Sequence, residues 1–359
     1  MPKLIAFHLP QFHPIPENDE WWGKGFTEWT NVTKAKPLFK GHYQPHLPAD
    51  LGFYDLRLPQ ARQAQAELAQ EYGIYGFMYY HYWFKGKRLL EKPIDDILNS
   101  GQPDFPFCLC WANETWSRRW IGEEKEVLLK QEYSPEDDKS HANWLVHAFK
   151  DPRYIRIKER PLFTIYRPSD LPNLEGTVET IKSTIIANGL PEPYLIGCNA
   201  HDQKRDFRKD GLDAILNFEP QLGVLPYAFD DQPSLSRFRQ NLKLGFSNPN
   251  LRIYDYKQAI SWMHQRKFEY PYYPCVMVGW DNTPRRGKNG IIMVNQSPSV
   301  FAESLQWAKS KSKEFEAEIE GGVIFINAWN EWAEGNHLEP CQRNGLTYLD
   351  EVKKFVESI

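Results

Sequence analysis

Long apolar runs are what this 359-residue sequence most conspicuously lacks. None approaches the roughly 18 consecutive apolar residues that a membrane-spanning helix needs. The opening "MPKLIAFHLPQF" has no apolar signal-type core and already reads as a strand, so neither a signal peptide nor a transmembrane segment is expected, and a cytoplasmic location is. Basic charge is not in excess either: 43 Lys and Arg stand against 47 Asp and Glu, a formal charge of −4. Nucleic acid is therefore not an expected partner. Cysteines number five, Cys108, Cys110, Cys198, Cys275 and Cys341, an odd count with four in apolar strand-like runs. They read as buried free thiols of a reducing compartment. Cys108 and Cys110 are separated by one residue, not by the two of a zinc or redox motif. Also missing are a P-loop, a Gly-x-Gly-x-x-Gly turn, a Ser-His-Asp arrangement and any low-complexity tract.

Aromatic residues are abundant instead: 13 Trp, 18 Tyr and 21 Phe, 14% of the chain. Many fall in mixed clusters, "FMYYHYWF" and "WANETWSRRW", beside Asn, Glu and His. A hydrophobic core has no need of that mixture. A carbohydrate site does, because sugar rings stack their C–H faces on aromatics while their hydroxyls bond to amides and carboxylates.

Eight compact apolar runs recur along the chain: 3–9, 73–80, 105–111, 161–167, 194–200, 213–219, 274–280 and 322–329. Apolar on both faces, they read as buried parallel strands. Helical patterns lie between them, as in "LPQARQAQAELAQEY", with Leu58, Ala61, Ala64, Leu68 and Tyr72 at helical spacing. The stretch 220–252, rich in Pro, Phe and Asn, reads as an excursion over one face. Eight strands alternating with helices predict an α/β fold, a (β/α)8 TIM barrel forming one domain over 1–359, with elaborated loops on its C-terminal face. A doubly wound sheet is the alternative, and the glycine-poor "HLPQFHP" after the first strand argues against it.

Catalytic groups of such barrels sit at the C-terminal strand ends. Those ends supply His8, Gln11, His13, Trp22 and Glu28 after the first strand; Tyr80, His81 and Trp83 after the second; and Trp111, Asn113 and Glu114 after the third. Tyr166 follows the fourth, Asn199 and His201 the fifth, Glu219 the sixth, and Trp280, Asp281 and Arg285 the seventh. The eighth leads into "NAWNEWAEGNHLEP", which carries Trp329, Asn330, Glu331, Trp332, Glu334, His337 and Glu339. Tyr82, Trp116, Asn282 and Arg286 lie in the same segments. This convergence of aromatic and hydrogen-bonding residues predicts one sugar-binding rim.

Glycosidic cleavage needs a carboxylic acid to protonate the leaving oxygen and a second carboxylate as base or nucleophile. Glu331 and Glu334 are three residues apart, so a helix after the eighth strand would put both on one face. Mutual repulsion would then keep a proton on the pair. Pairing of one acid with Arg285 is the competing structural reading. Glu339 reads as a binding or structural group. No metal is expected: His8 and His13 lack a standard ligand spacing, and Pro45 breaks any helix aligning His42 with His46.

Five segments, "PQFHPIPENDEWWGKGFTEW", "GFMYYHYWF", "WANETW", "GWDNTPR" and "NEWAEGNHLEP", together resemble the WbsX-type proteins, which are similar to glycoside hydrolase family 99. The resemblance spans most of the chain. It implies a (β/α)8 barrel that acts on α-mannosides with retention, with no metal, nucleotide or other cofactor in the reaction. "NEWAEG" matches the family's two-Glu signature. Glu331 would then be the base acting on the substrate's own 2-hydroxyl, giving an anhydro-sugar, a substrate-assisted route. Glu334 would protonate the departing oxygen and later activate water. Ala333 stands where the hydrolases commonly carry His, and Asn336-His337 replaces a Thr-Gln-type pair, which loosens the mannose assignment but not the acid pair. The expected partner is an oligo- or polysaccharide, such as an O-antigen or capsule glycan. A glycosyltransferase of lipopolysaccharide or capsule assembly, and a non-catalytic glycan-binding barrel, remain the alternatives.

Overall fold

The computed structural model describes residues 2–118, 123–200, 205–222 with 225, 251–315 and 322–358. Eight strands form its centre: β1 (Lys3–His8), β2 (Gly76–Phe84), β3 (Phe107–Trp111), β4 (Arg160–Ile165), β5 (Tyr194–Cys198), β6 (Ala214–Asn217), β7 (Tyr273–Met277) and β8 (Val323–Asn327). Each pairs in parallel with its sequence neighbours, and β1 pairs with both β2 and β8, so the sheet closes into a (β/α)8 barrel. Every strand residue of β2, β3, β5, β6, β7 and β8 is buried, the condition that selects continuous apolar runs over alternating ones. All eight expected strands are present. Inside the barrel Phe7 packs edge-on against Phe218 at 5.1 Å and lies against Tyr80 at 5.5 Å, forming the floor beneath the C-terminal mouth.

Helices Pro59–Glu71, Lys92–Ser100, Pro135–Phe149, Leu174–Ala187, Tyr256–Gln265, Pro298–Glu314 and Thr347–Glu357 occupy the expected segments. Their ends carry recognisable stops and starts. Pro sits in the first turn of four of them, where its missing N–H costs nothing. Ser134, Asn173 and Asp255 accept from backbone N–H groups at three N-termini. Several elements not anticipated from sequence contribute to the mouth. They are the short helices Pro16–Trp22 and Glu28–Lys34, and a bulged antiparallel hairpin of Trp116–Arg118 with Glu123–Leu129. Most of the 220–252 excursion and His201 lie outside the described residues. No described helix is long and apolar enough to cross a membrane.

Candidate active site

A cavity of about 340 Å3 opens at the C-terminal end of the barrel, within the size range of small-molecule sites. Its walls come from seven of the eight strand ends. β1 leads to Leu9 and Gln11, and the following helix adds Asn18 and Trp22. β2 contributes Tyr80 and Tyr82, and the segment after β3 gives Ala112, Glu114, Thr115, Trp116, Ser117 and Leu128. Tyr166 follows β4, and Phe218 and Leu222 follow β6. Trp280, Asn282, Arg285 and Arg286 come from beyond β7, and Asn327, Glu331 and Glu334 from β8.

The two acids ride on one small hairpin. After β8 the chain passes a cis peptide at Asn327–Ala328, then Asn330–Glu331 pairs antiparallel with Asn336–His337. A single 3-10 turn, Trp332–Glu334, joins the two arms. The expected helix is therefore a 3-10 turn, in which residues three apart eclipse and still share a side. Gly335 closes the turn at φ +58°, where any Cβ would lie 3.0 Å from the Cβ of Asp281. Asn336 ties the hairpin to β7, its Oδ1 accepting from the N–H groups of Val278 and Gly279 at 3.0 and 3.2 Å. Asn330 ties it to β1, accepting from Leu9 N–H at 2.7 Å and donating to Leu9 O at 3.1 Å.

Arg285 sits between the acids. Its Nη1 donates to Glu334 Oε1 at 2.7 Å, its Nη2 to Glu331 Oε2 at 3.0 Å, and its Nε to Glu28 Oε1 at 2.8 Å. One guanidinium thus serves three carboxylates, so the pairing with Arg285 and the two-acid site coexist. Burial pushes Glu331 up to about 8; Arg285 opposes this, while Glu334 and Glu28 add to it. Burial raises Glu334 too, against Arg285 and with Glu28. The pair consequently holds a proton at neutral pH, shared between two coupled groups. Glu334 is the more open of the two, its side chain 20% exposed against 7% for Glu331. Glu114, across the cavity, is held by Arg167 Nη1 at 3.1 Å.

Several polar atoms of residues lining this space are buried and have no protein partner: Gln11 Nε2, both side-chain atoms of Asn18, Trp280 Nε1 and Asn327 Oδ1. Each such group costs about 1–3 kcal/mol unless something bonds it. They sit among Trp22, Tyr80, Tyr82, Trp116, Tyr166, Phe218 and Trp280. Neutral donors and acceptors set between aromatic faces suit a ligand that is polar at its edges and apolar on its faces.

The remaining sequence-selected residues lie behind this wall, and strand periodicity explains most of them. Side chains alternate, so only every second one enters the cavity. At β1, Phe7 points inward, while His8 turns out to Gln65 at 3.2 Å, its pKa lowered to about 3 by burial. At β2, Tyr80 and Tyr82 line the cavity, but His81 bonds His141 at 3.0 Å and stacks on Trp144, and Trp83 donates to Asp137. Trp111 packs edge-on against the same His141. Phe218 faces in and Glu219 out, fully buried with neither carboxylate oxygen partnered, which raises its pKa well above the usual range. Trp280 and Asn282 face in, whereas Asp281 accepts from His42 at 2.6 Å, Gln44 at 2.8 Å and Thr283 at 2.6 Å. Those bonds outweigh its burial and hold it ionised.

Others brace the backbone. Asn113 donates to Arg167 O and Tyr133 Oη, and Asn199 donates to Tyr270 Oη. His13 is buried, its pKa lowered to about 4 by that burial. Trp329 packs against Phe77 at 5.0 Å. Trp332 stacks on His337 at 3.8 Å, His337 contacts His46 at 3.0 Å, and Glu339 accepts from Tyr54, Gln65 and Trp332. Glu28 lies beneath Arg285 with no exposed surface. Of the wall residues that sequence reasoning passed over, Phe218 and Asn327 follow from the same two-residue alternation, counted inward from Leu216 and Phe325. Asn18, Ser117 and Leu128 come from local elements whose placement has no strand-end signal.

The barrel is of the kind found in the GH99 endo-alpha-mannosidase from Bacteroides thetaiotaomicron, with a TM-score of 0.57 at 15% identity over 99% of this chain and 96% of that one. A solved structure described as a glycoside hydrolase-like protein matches equally, at 0.57 and 13% identity over 99% and 93%. Identity this low establishes a common fold alone. The sequence is more specific: residues 4–352 match the family described as Glycosyltransferase WbsX, and the chain belongs to that family. WxcX from Xanthomonas campestris pv. campestris strain B100 is 42% identical over 352 residues, which are 98% of this chain and 49% of WxcX. WxcX of strain ATCC 33913 stands in the same relation. The chain spans about half the length of the curated relatives it matches.

Proposed function

We propose that this barrel is a carbohydrate-active enzyme that cleaves a bacterial surface polysaccharide or its precursor, an α-mannoside among the candidates, by retaining, hydrolase-like chemistry at Glu331 and Glu334. The observation that carries the reading is the acid pair on one guanidinium, holding a proton, at the wall of a cavity whose unmet hydrogen-bonding groups lie between aromatic faces. Glu334, more open to the cavity, delivers the proton to the departing glycosidic oxygen. In the reactive form the pair's single proton is on Glu334, and Glu331, as the carboxylate, takes the proton of the substrate's 2-hydroxyl as that oxygen closes on the anomeric carbon. Water, deprotonated by Glu334, then opens the anhydro ring, and Glu331 returns its proton. Two inversions at one carbon give net retention.

Transfer from an activated donor is the second reading, favoured by the description of the family. The charge of the site supports hydrolysis over a nucleotide-sugar donor. A diphosphate beside Glu331 and Glu334 would meet like charge, with Arg285 already engaged by three carboxylates and Arg286 the one further cation among the described cavity-lining residues. A glycan-library digestion read by mass spectrometry tests the order. Release of shorter saccharides by the parent and not by Glu334→Gln supports hydrolysis; transfer from labelled nucleotide sugars without hydrolysis overturns it.

A further inference from the structure

Glu28 stands 303 positions before Glu331, on a different element, and yet belongs to the same charge cluster. It opens the helix Glu28–Lys34, whose start is pinned to the β1 loop by Glu28 N–H donating to Gln11 O at 3.0 Å. Its side chain is wholly enclosed. Oε1 takes the Nε of Arg285 and a long contact from Asn31 Nδ2 at 3.5 Å, while Oε2 has no partner. A carboxylate in that position touches no substrate.

We propose that Glu28 is a positioning residue that sets the proton inventory of the acid pair, by adding a third carboxylate to the single guanidinium that Glu331 and Glu334 share. The inference rests on the reading of those two residues as the catalytic acids. Three carboxylates against one guanidinium leave an excess of negative charge in an enclosed space, and uptake of a proton relieves it. Without Glu28, Arg285 and two ionised acids would come nearer to neutrality and the proton would be held more weakly. The other ionisable groups facing the cluster do not supply the same balance. Glu114 is matched by Arg167, and Tyr80, Tyr82 and Tyr166 are neutral phenols; Lys34, a half-buried cation on the helix of Glu28, interacts with Glu28 and not with the acid pair, and Arg286 is the other cation among the described cavity-wall residues. Glu28 also gives Arg285 its third anchor, which fixes the plane of the fork presented to both acids.

Carbon-13 NMR of the full chain labelled at Glu carboxyls reads the proton directly, without substrate or turnover. The parent should show a carboxyl titrating near pH 8 that Glu331→Gln removes. Glu28→Gln, which keeps an oxygen for Arg285 Nε but removes the charge, should lower that midpoint by about one pH unit. Glu28→Ala should do the same, and Glu28→Asp should keep the parent value. A midpoint unmoved in folded Glu28→Gln or Glu28→Ala overturns the proposal. So does failure of both to fold, which would make Glu28 a part of the scaffold. Inactivity of the parent on glycans with the expected titration would instead overturn the functional reading and leave the charge relationship standing.

Discussion

Trp332 Nε1 donates to Glu339 Oε2 over 2.6 Å, one residue past the first acid and at the far end of the same motif. Tyr54 and Gln65 complete the shell at 2.7 and 2.6 Å, and Tyr54 Oη accepts from Asn330. Glu339 therefore holds Trp332 directly and Asn330 through Tyr54, the residues on both sides of Glu331. Burial lifts its pKa to about 7 in spite of these donors. A carboxyl whose pKa is higher folded than unfolded favours the native state at low pH, and that contribution fades as pH rises from about 4.5 to about 7. Urea unfolding should show a decline on the order of 3 kcal/mol across this window attributable to Glu339. Glu339→Gln should remove that part of the slope.

Replacing either acid by its amide separates chemistry from binding. Glu334→Gln and Glu331→Gln should each lower glycan turnover by about 10²–10⁴-fold, the worth of a positioned proton-transfer group. Glycan affinity measured by calorimetry should stay within a few-fold of the parent in Glu334→Gln. Undiminished turnover in either variant would remove that residue from the mechanism.

Arg285→Ala should cost stability rather than activity alone. It leaves Glu28, Glu331 and Glu334 without their shared counter-charge, a change worth about 3–5 kcal/mol for buried pairs. The loss should depend on pH. The stranded carboxyls gain protons more readily in the native state, so the variant should come closest to parental stability near pH 4 to 5 and fall away as pH rises. Equal melting deficits at pH 5 and pH 9 would contradict this.

Asn18 should behave in the opposite sense to Arg285, and Trp280 should separate packing from binding. Both Asn18 side-chain atoms and Trp280 Nε1 are buried without partners, so the protein alone gains nothing from their polarity. Asn18→Leu should match or exceed the parent in melting temperature, whereas Trp280→Phe also loses packing against the buried cluster of Tyr256 and Met277; both should weaken glycan binding by roughly 0.5–1.5 kcal/mol per lost hydrogen bond. Weaker folding with unchanged glycan affinity would assign these groups to the scaffold.

The barrel was legible because its strands are buried on both faces: runs such as 105–111 and 322–329 admit few other structures. The motif around Glu331 and Glu334 was equally plain, because its acids and aromatics lie close together in sequence. What strand-end reading blurs is direction. "YYHYWF" offers six attractive side chains, but the pleat sends Tyr80 and Tyr82 to the cavity and His81 and Trp83 to the helix layer. Composition does not tell these apart, since a packed imidazole pair between indoles looks like a sugar site. Arg285 was visible as a nearby cation, but its bond to Glu28 depends on tertiary closure and has no local signature.

The hairpin after β8 carries both acids within one turn of chain, anchored at Leu9 on one flank and at Val278 and Gly279 on the other. The separation between Glu331 and Glu334 is therefore set within four consecutive residues and held by Arg285 from the segment after β7. The wall opposite, from Asn18 and Trp22 to Trp116 and Leu128, belongs to insertions elsewhere on the rim. On the proposed function, exchanging those segments would offer the same acid pair to a different glycan, so the chemistry and the choice of sugar could diverge on separate pieces of the chain.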